Sequence, residues 1–165
     1  MSPDNNEGFR LIQAILPAQI EEARTLFLEY ANSLNFSLCF QSFDEELQTL
    51  PGAYAPPDGR LLLAQGNGKT AGCVALRKIE TDICEMKRLY VRPGYRGTGL
   101  GKKLVEELIV EARKIGYTRM RLDTVGESMK DAVALYRRLG FKDIAPYREY
   151  PLDGVLYMEL DITQA

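Results

Sequence analysis

The chain has 165 residues, 27% of them charged and 45% apolar, with a net charge of −2 and no histidine. A Ser-His-Asp triad, a Cys-His dyad and every histidine-bearing zinc site are therefore excluded. The length suits one domain whose core needs no disulfides.

Residues 1–8 are polar, lack the apolar stretch of a signal peptide and are expected to be disordered. Residues 9–165 are expected to form a single domain. It opens with a short strand over 9–15. Pro17 suits a first helical turn, where its missing N–H has no partner to lose. Ile20, Ala23, Leu26, Phe27, Tyr30 and Ala31 then recur at helical spacing to about Leu34. A shorter helix is expected over 44–50, capped by Ser42 or Asp44 and ended by Pro51-Gly52.

Strands follow over 60–65, 71–79 and 83–91. Asn67-Gly68 supplies the positive φ angles of a tight hairpin turn, and Thr81-Asp82 turns the chain again, so the three form an antiparallel meander. Helix 99–115 carries Leu104, Val105, Leu108, Ala112 and Ile115 on one stripe and ends at Gly116. Strand 118–124, helix 128–139 and strands 141–145 and 155–162 complete the order β-α-α-β-β-β-α-β-α-β-β. The fold class is α/β (α+β by some schemes). Its sheet is mixed and mostly antiparallel, with a central parallel pair formed by strands 83–91 and 118–124 across a right-handed helical crossover.

Residues 87–103 hold Lys87, Arg88, Arg92, Arg96, Lys102 and Lys103 and no acid, leaving fifteen basic against twenty-three acidic residues elsewhere. A local positive field in an acidic chain points to a small anionic ligand, not to a nucleic-acid footprint. Cys39, Cys73 and Cys84 form no CxxC pair and read as reduced thiols of a cytoplasmic protein. No apolar run is long enough to span a membrane.

The richest local signal is Arg96-Gly97-Thr98-Gly99-Leu100-Gly101-Lys102, between a strand and a helix. A helix N-terminus offers unpaired N–H groups and a positive dipole end, and glycines let an anion approach the backbone, so a pyrophosphate is the natural ligand. Walker A fails, because Lys102 is followed by Lys103 and Arg96 stands where Gly is required. The dinucleotide fingerprint fails at Lys102, although Asp123 imitates the ribose-binding acid. A turn whose glycines serve geometry alone is the bland alternative.

The turn, preceded by Leu89-Tyr90-Val91-Arg92-Pro93, resembles the acetyl-CoA motif of the GCN5-related N-acetyltransferases, the GNAT superfamily, especially its small, bacterial-type, single-domain members. The family's Ala-x-x-Leu-Tyr-x-x-x-Gly-Phe signature is met by Ala132, Leu135, Tyr136, Gly140 and Phe141. The resemblance implies that backbone amides of Arg96, Gly97, Thr98, Gly99, Leu100, Gly101 and Lys102 hold the CoA pyrophosphate. It also implies that Leu89 and Val91 pair with the pantetheine arm as if it were an added strand. The two parallel strands would then splay, and a bulge in 83–91 would explain why both of its faces mix apolar and charged residues. Met129 stands where many relatives carry Asn, and Lys130 is a candidate replacement contact.

Transfer of an acetyl group to an amine requires a base, because an ammonium of pKa ~10.4 does not attack. It also requires donors for the oxyanion and a proton for the leaving thiolate. The resemblance makes Glu85 the candidate base, acting through a water, and Tyr136 the candidate acid, since a phenol of pKa ~10 matches a thiolate. A salt-bridged Glu85 and a core Tyr136 are the structural alternatives. No metal is expected. Tyr30, Phe36, Tyr147 and Glu149, with Phe40, Arg148 and Tyr150 beside them, are the candidate acceptor-side residues. They would suit a small-molecule amine or a peptide, or else a homodimer surface. A CoA-binding sensor without catalysis is the alternative function; it would keep the turn and dispense with Glu85 and Tyr136.

Overall fold

A computed structural model describes residues 8–38, 42–126 and 129–163. The expected disorder before Gly8, Cys39, Phe40 and the expected helix start at Ser128 lie outside these residues.

Strand β1 spans Arg10–Gln13, and helix α1 spans Pro17–Ser33. The Gln19 side chain turns back to accept the N–H groups of Ile15 and Leu16, both at 2.9 Å, which closes the first turn of α1. Helix α2 (Phe43–Thr49) starts after Ser42, which adopts a left-handed φ of 56°. Strands β2 (Arg60–Gly66), β3 (Lys69–Glu80) and β4 (Ile83–Val91) form the expected meander. Asn67 and Gly68 take the positive φ values the hairpin requires. Helix α3 (Leu100–Ile115), strand β5 (Arg119–Val125), helix α4 (Lys130–Arg138) and strands β6 (Lys142–Asp143) and β7 (Val155–Asp161) follow.

One seven-stranded sheet results, in the order β1-β2-β3-β4-β5-β7-β6, with β4 and β5 its parallel pair. Each face of the sheet carries a core. On one side α3 and α4 cover Leu62, Ala64, Val74, Leu76, Met86 and Leu122. On the other, α1 and α2 cover Leu61, Leu63, Cys73, Ala75 and Tyr90. Strand β2 reads Leu61-Leu62-Leu63-Ala64 without alternation because both of its faces are covered. Among the described residues, no helix is long and apolar enough to cross a membrane.

Candidate active site

The site begins with a fault in β4. Ala75 of β3 pairs with Lys87, but Cys73 pairs with Tyr90, so Arg88 and Leu89 together oppose Val74. This is the bulge that the mixed strand pattern suggested. Arg88 takes a φ of 62°, a left-handed conformation that a non-glycine residue holds only when its surroundings fix it. The guanidinium does so through two bonds to Glu46 of α2 (2.9 and 3.0 Å) while standing over the Phe43 ring. The Cys73 thiol donates to the Arg88 carbonyl at 3.3 Å.

Pairing of β4 with β5 covers only Ile83↔Arg119, Cys84↔Met120 and Glu85↔Arg121. Beyond Glu85 the strands diverge, and the wedge opens into a groove of about 1240 Å³. One end of the groove is the turn before α3. Gly97 and Gly99 there have φ of 78° and 84°, and the first helical bond runs from the Lys103 N–H to the Gly99 carbonyl. The preceding amides therefore have no helical acceptor. Arg96 donates to the Val91 carbonyl at 2.8 Å and stacks over Tyr90, so it also closes the turn. Met129 and Lys130 both border the groove, as do Leu89 and Val91.

The basic run is less of a field than the sequence suggested. Arg92 is spent on Glu29 of α1 (2.7 and 3.0 Å) and Arg88 on Glu46. Lys87 lies 3.8 Å from Glu85. Arg96, Lys102 and Lys103 remain around the turn, with Lys130 and Arg138 on the groove's other border.

A charged layer lies on the α1 face beneath the wedge. Glu85 has no exposed side-chain surface. It accepts from Arg77 (2.9 Å), from Arg148 (2.7 Å) and from the Tyr147 hydroxyl (2.7 Å). Burial alone would raise its carboxyl. Lys87, Arg77 and Arg148, with the Tyr147 hydrogen bond, outweigh burial and hold it below the ordinary carboxylate value. Burial pulls the Lys87 ammonium down to about 8, against the opposing pull of Glu85.

Asp123, on β5, is held differently. Its side chain is 12% exposed and accepts from the Tyr150 hydroxyl at 3.2 Å, with Arg148 at 3.6 Å. Burial raises its carboxyl and the nearby charge of Glu85 adds to this, together outweighing Lys87, Arg148 and the Tyr150 hydrogen bond, which lower it. Asp123 borders both the groove and a small pocket of about 20 Å³, whose walls include Tyr30, Phe36, Leu38, Tyr150 and Leu152. Tyr136 of α4 also borders the groove, and burial pushes its phenol well above 10.

A glycine-rich turn, a strand edge left unpaired by a wedge, and a carboxylate and a phenol thus border one groove. The Acetyltransferase (GNAT) family matches residues 20–141. The chain belongs to the GNAT acetyltransferase family. It is an acyl-CoA-dependent N-acetyltransferase. It is 41% identical over 151 residues to an N-acetyltransferase of Schizosaccharomyces pombe, covering 90% of this chain and 92% of that one. A GNAT acetyltransferase from Staphylococcus aureus has the same fold, with a TM-score of 0.78 at 20% identity over 93% of this chain and 99% of its own. So does a Salmonella typhimurium acetyltransferase solved with its cofactor acetyl-CoA (TM-score 0.65, 20% identity, 96% of each chain).

Set against this GNAT fold, the residues named from sequence divide into three groups. Leu89, Val91, Tyr136 and the residues of the 96–102 turn other than Thr98 border one groove. Thr98 instead donates to the Tyr95 carbonyl at 2.6 Å. Tyr30 and Phe36 border the small pocket. Glu85, Tyr147 and Glu149 border neither cavity: Glu85 is sealed under Tyr147 and Arg148, and Glu149 is exposed. Sequence reading passed over Asp123 as an acid of this site. The available signal was its parity with Arg121, which puts both on the α1 face of the second parallel strand.

Proposed function

We propose that this acetyltransferase moves an acetyl group from acetyl-CoA directly to the amine of a compact, largely apolar small molecule within a ternary complex. Asp123 is the base and Tyr136 the acid. The observation that carries this reading is the place of Asp123, a carboxylate on the shared border of the groove and the small pocket.

The groove suits acetyl-CoA, which supplies an activated thioester. The backbone amides of 96–102 hold its pyrophosphate at the N-terminus of α3. The edge of β4 beyond Glu85, unpaired by β5, offers the Leu89 and Val91 backbone groups to the pantetheine arm. The Leu89 amide, at the bulge on the edge of β4, is the oxyanion donor in this reading. Asp123 takes the proton of the incoming ammonium. Its raised carboxyl is a stronger base than an ordinary aspartate, and it stays reachable from the pocket. Glu85, the base expected from sequence, has neither property: it is fully buried and held ionised by three cations. Tyr136, like any phenol of pKa ~10, is neutral at neutral pH, and its place on the groove border lets it donate to the departing thiolate. Burial raises it, so donation is driven by the basicity of the thiolate leaving in the same buried surroundings. Cys84 is pushed up to about 12 by burial and Cys73 higher still, which argues against a thiolate nucleophile.

Among the described residues, Asp123 is the one charged wall residue of the pocket, and aromatic and aliphatic side chains make most of the rest. At about 20 Å³ the pocket has room for little more than the acceptor's ammonium. Its lining favours an ammonium on a small apolar group, the rest of which lies in the groove, over an acceptor with its own carboxylate. The test is release of CoA from acetyl-CoA across a panel of amines. Turnover on apolar monoamines supports the reading. Tight CoA binding with no turnover on any amine would overturn it in favour of a sensor.

A further inference from the structure

Glu85 is too deeply buried to touch an acceptor, yet it is the most heavily coordinated carboxylate near the groove. Its partners come from three places: Arg77 on β3, Lys87 on its own strand, and Tyr147 and Arg148 on the segment between β6 and β7. That segment lies over the sheet as a strap. Arg148 is its pivot, because one guanidinium faces two carboxylates. Nη2 lies 2.7 Å from Glu85 Oε2 and Nη1 lies 3.3 Å from Glu85 Oε1. Nη1 also donates to the Tyr150 hydroxyl at 2.8 Å and lies 3.6 Å from Asp123 Oδ2. The Tyr150 hydroxyl in turn donates to Asp123. The strap is pinned at its other side where the Tyr157 hydroxyl of β7 donates to the Arg148 carbonyl at 2.8 Å.

We propose that Glu85 is a positioning residue: it holds Arg148 away from Asp123, so that Asp123 keeps its basicity and Tyr150 keeps its place in the wall of the acceptor pocket. The inference rests on the reading of Asp123 as the base. Its physics is competition. A guanidinium drawn into a close, charge-assisted pair with Asp123 would stabilise the carboxylate and weaken it as a proton acceptor. Glu85 prevents this by offering a nearer, fully buried partner. With Glu85 neutral, Asp123 is the carboxylate left within reach of Arg148, and Lys87 loses the partner it shares. Both changes act on Asp123 in the same direction. Among the described residues, the other ionisable groups facing Asp123 are Tyr30 of α1, Tyr136 of α4, Tyr157 of β7, and Tyr147 and Tyr150 of the strap. All are phenols held neutral below pH 9, so none competes with Arg148.

The test is the acid limb of the pH profile of kcat/KM, measured with an apolar monoamine and saturating acetyl-CoA. The chain has no histidine, so a limb on the acid side of neutrality belongs to a carboxylate. Glu85→Gln should move the limb to lower pH by about one unit, with a lower plateau rate. Arg148→Met should move it to higher pH, because Asp123 then faces Glu85 with one cation fewer. The double variant should return toward the wild-type position. A purely structural role would lower stability in both single variants without moving the limb in opposite directions. An unmoved limb in Glu85→Gln, or a shift of the same sign in both, would overturn the proposal. If Glu85→Gln does not fold, judged by CoA binding, Glu85→Asp takes its place: the shorter side chain loosens its hold on Arg148 while keeping its charge, so the limb should again move to lower pH, and an unmoved limb would overturn the proposal. Asp123→Asn separates the two readings: a limb that survives this change shows that Asp123 is not the base, whatever Glu85 does.

Discussion

Glu85 and Asp123 are both acids on the α1 face of adjacent parallel strands, and their surroundings give them opposite properties. Three cations crowd Glu85 and keep it ionised, whereas burial with fewer partners raises Asp123. Asp123→Asn should therefore lower kcat by about a hundredfold or more, the usual range for a lost general base, while leaving CoA affinity in place. Isothermal titration with CoA beside steady-state rates checks both halves; near-wild-type turnover would dismiss Asp123. Tyr136→Phe should also cut kcat by about a hundredfold with little change in melting temperature. The Tyr136 ring packs against Phe141 at 5.7 Å, and Phe keeps that contact, so a lost rate with intact folding isolates the hydroxyl.

At the scale of elements, the groove depends on two backbone departures: the turn before α3 and the bulge in β4. Gly99 caps α3 with a φ of 84°, where an L-residue costs about 1–2 kcal/mol. Gly99→Val should weaken CoA binding by about tenfold if that cost falls on the bound turn, read as a dissociation constant at fixed salt. The bulge is secured from α2 by the Arg88–Glu46 pair, whose side chains are 2% and 17% exposed. Glu46→Ala removes the carboxylate partner of a buried guanidinium and should destabilise the fold by about 3 kcal/mol in a denaturant titration. The strand, helix and turn positions that lead into these features were legible in sequence, because apolar periodicity and glycine placement are local signals. The two-against-one pairing at Arg88 was only hinted at, because a bulge is a relation between strands.

At the scale of the molecule, a single sheet joins two cores, and acid–base pairs stitch the layers together. Glu29–Arg92 ties α1 to the end of β4, and Glu85 ties β3, β4 and the strap. Arg92 holds the Glu29 carboxyl below its ordinary value, and Glu85 is lowered too. A carboxyl lowered on folding adds stability above the unfolded value of about 4.3, and that stability is lost as pH falls through the folded value. The melting temperature should therefore hold between pH 6 and 7 and drop as pH falls below about 4.5. The Glu29→Gln variant should show a shallower drop. An equal slope in variant and wild type would remove Glu29 from the acid response.

Histidine was absent from the outset, so the sequence alone removed imidazole chemistry. The 96–102 turn and the Ala132–Phe141 signature carried the resemblance to the family, and the glycines before α3 made that turn a candidate anion site. These are local facts, written in composition and in spacings of a few residues. What only the tertiary structure shows is how differently the two acids are held. Burial and the count of cations around a carboxylate depend on side chains that arrive from β3, β5 and the strap, far apart in sequence. The structure sealed Glu85 beneath Arg148 and left Asp123 at the border of groove and pocket.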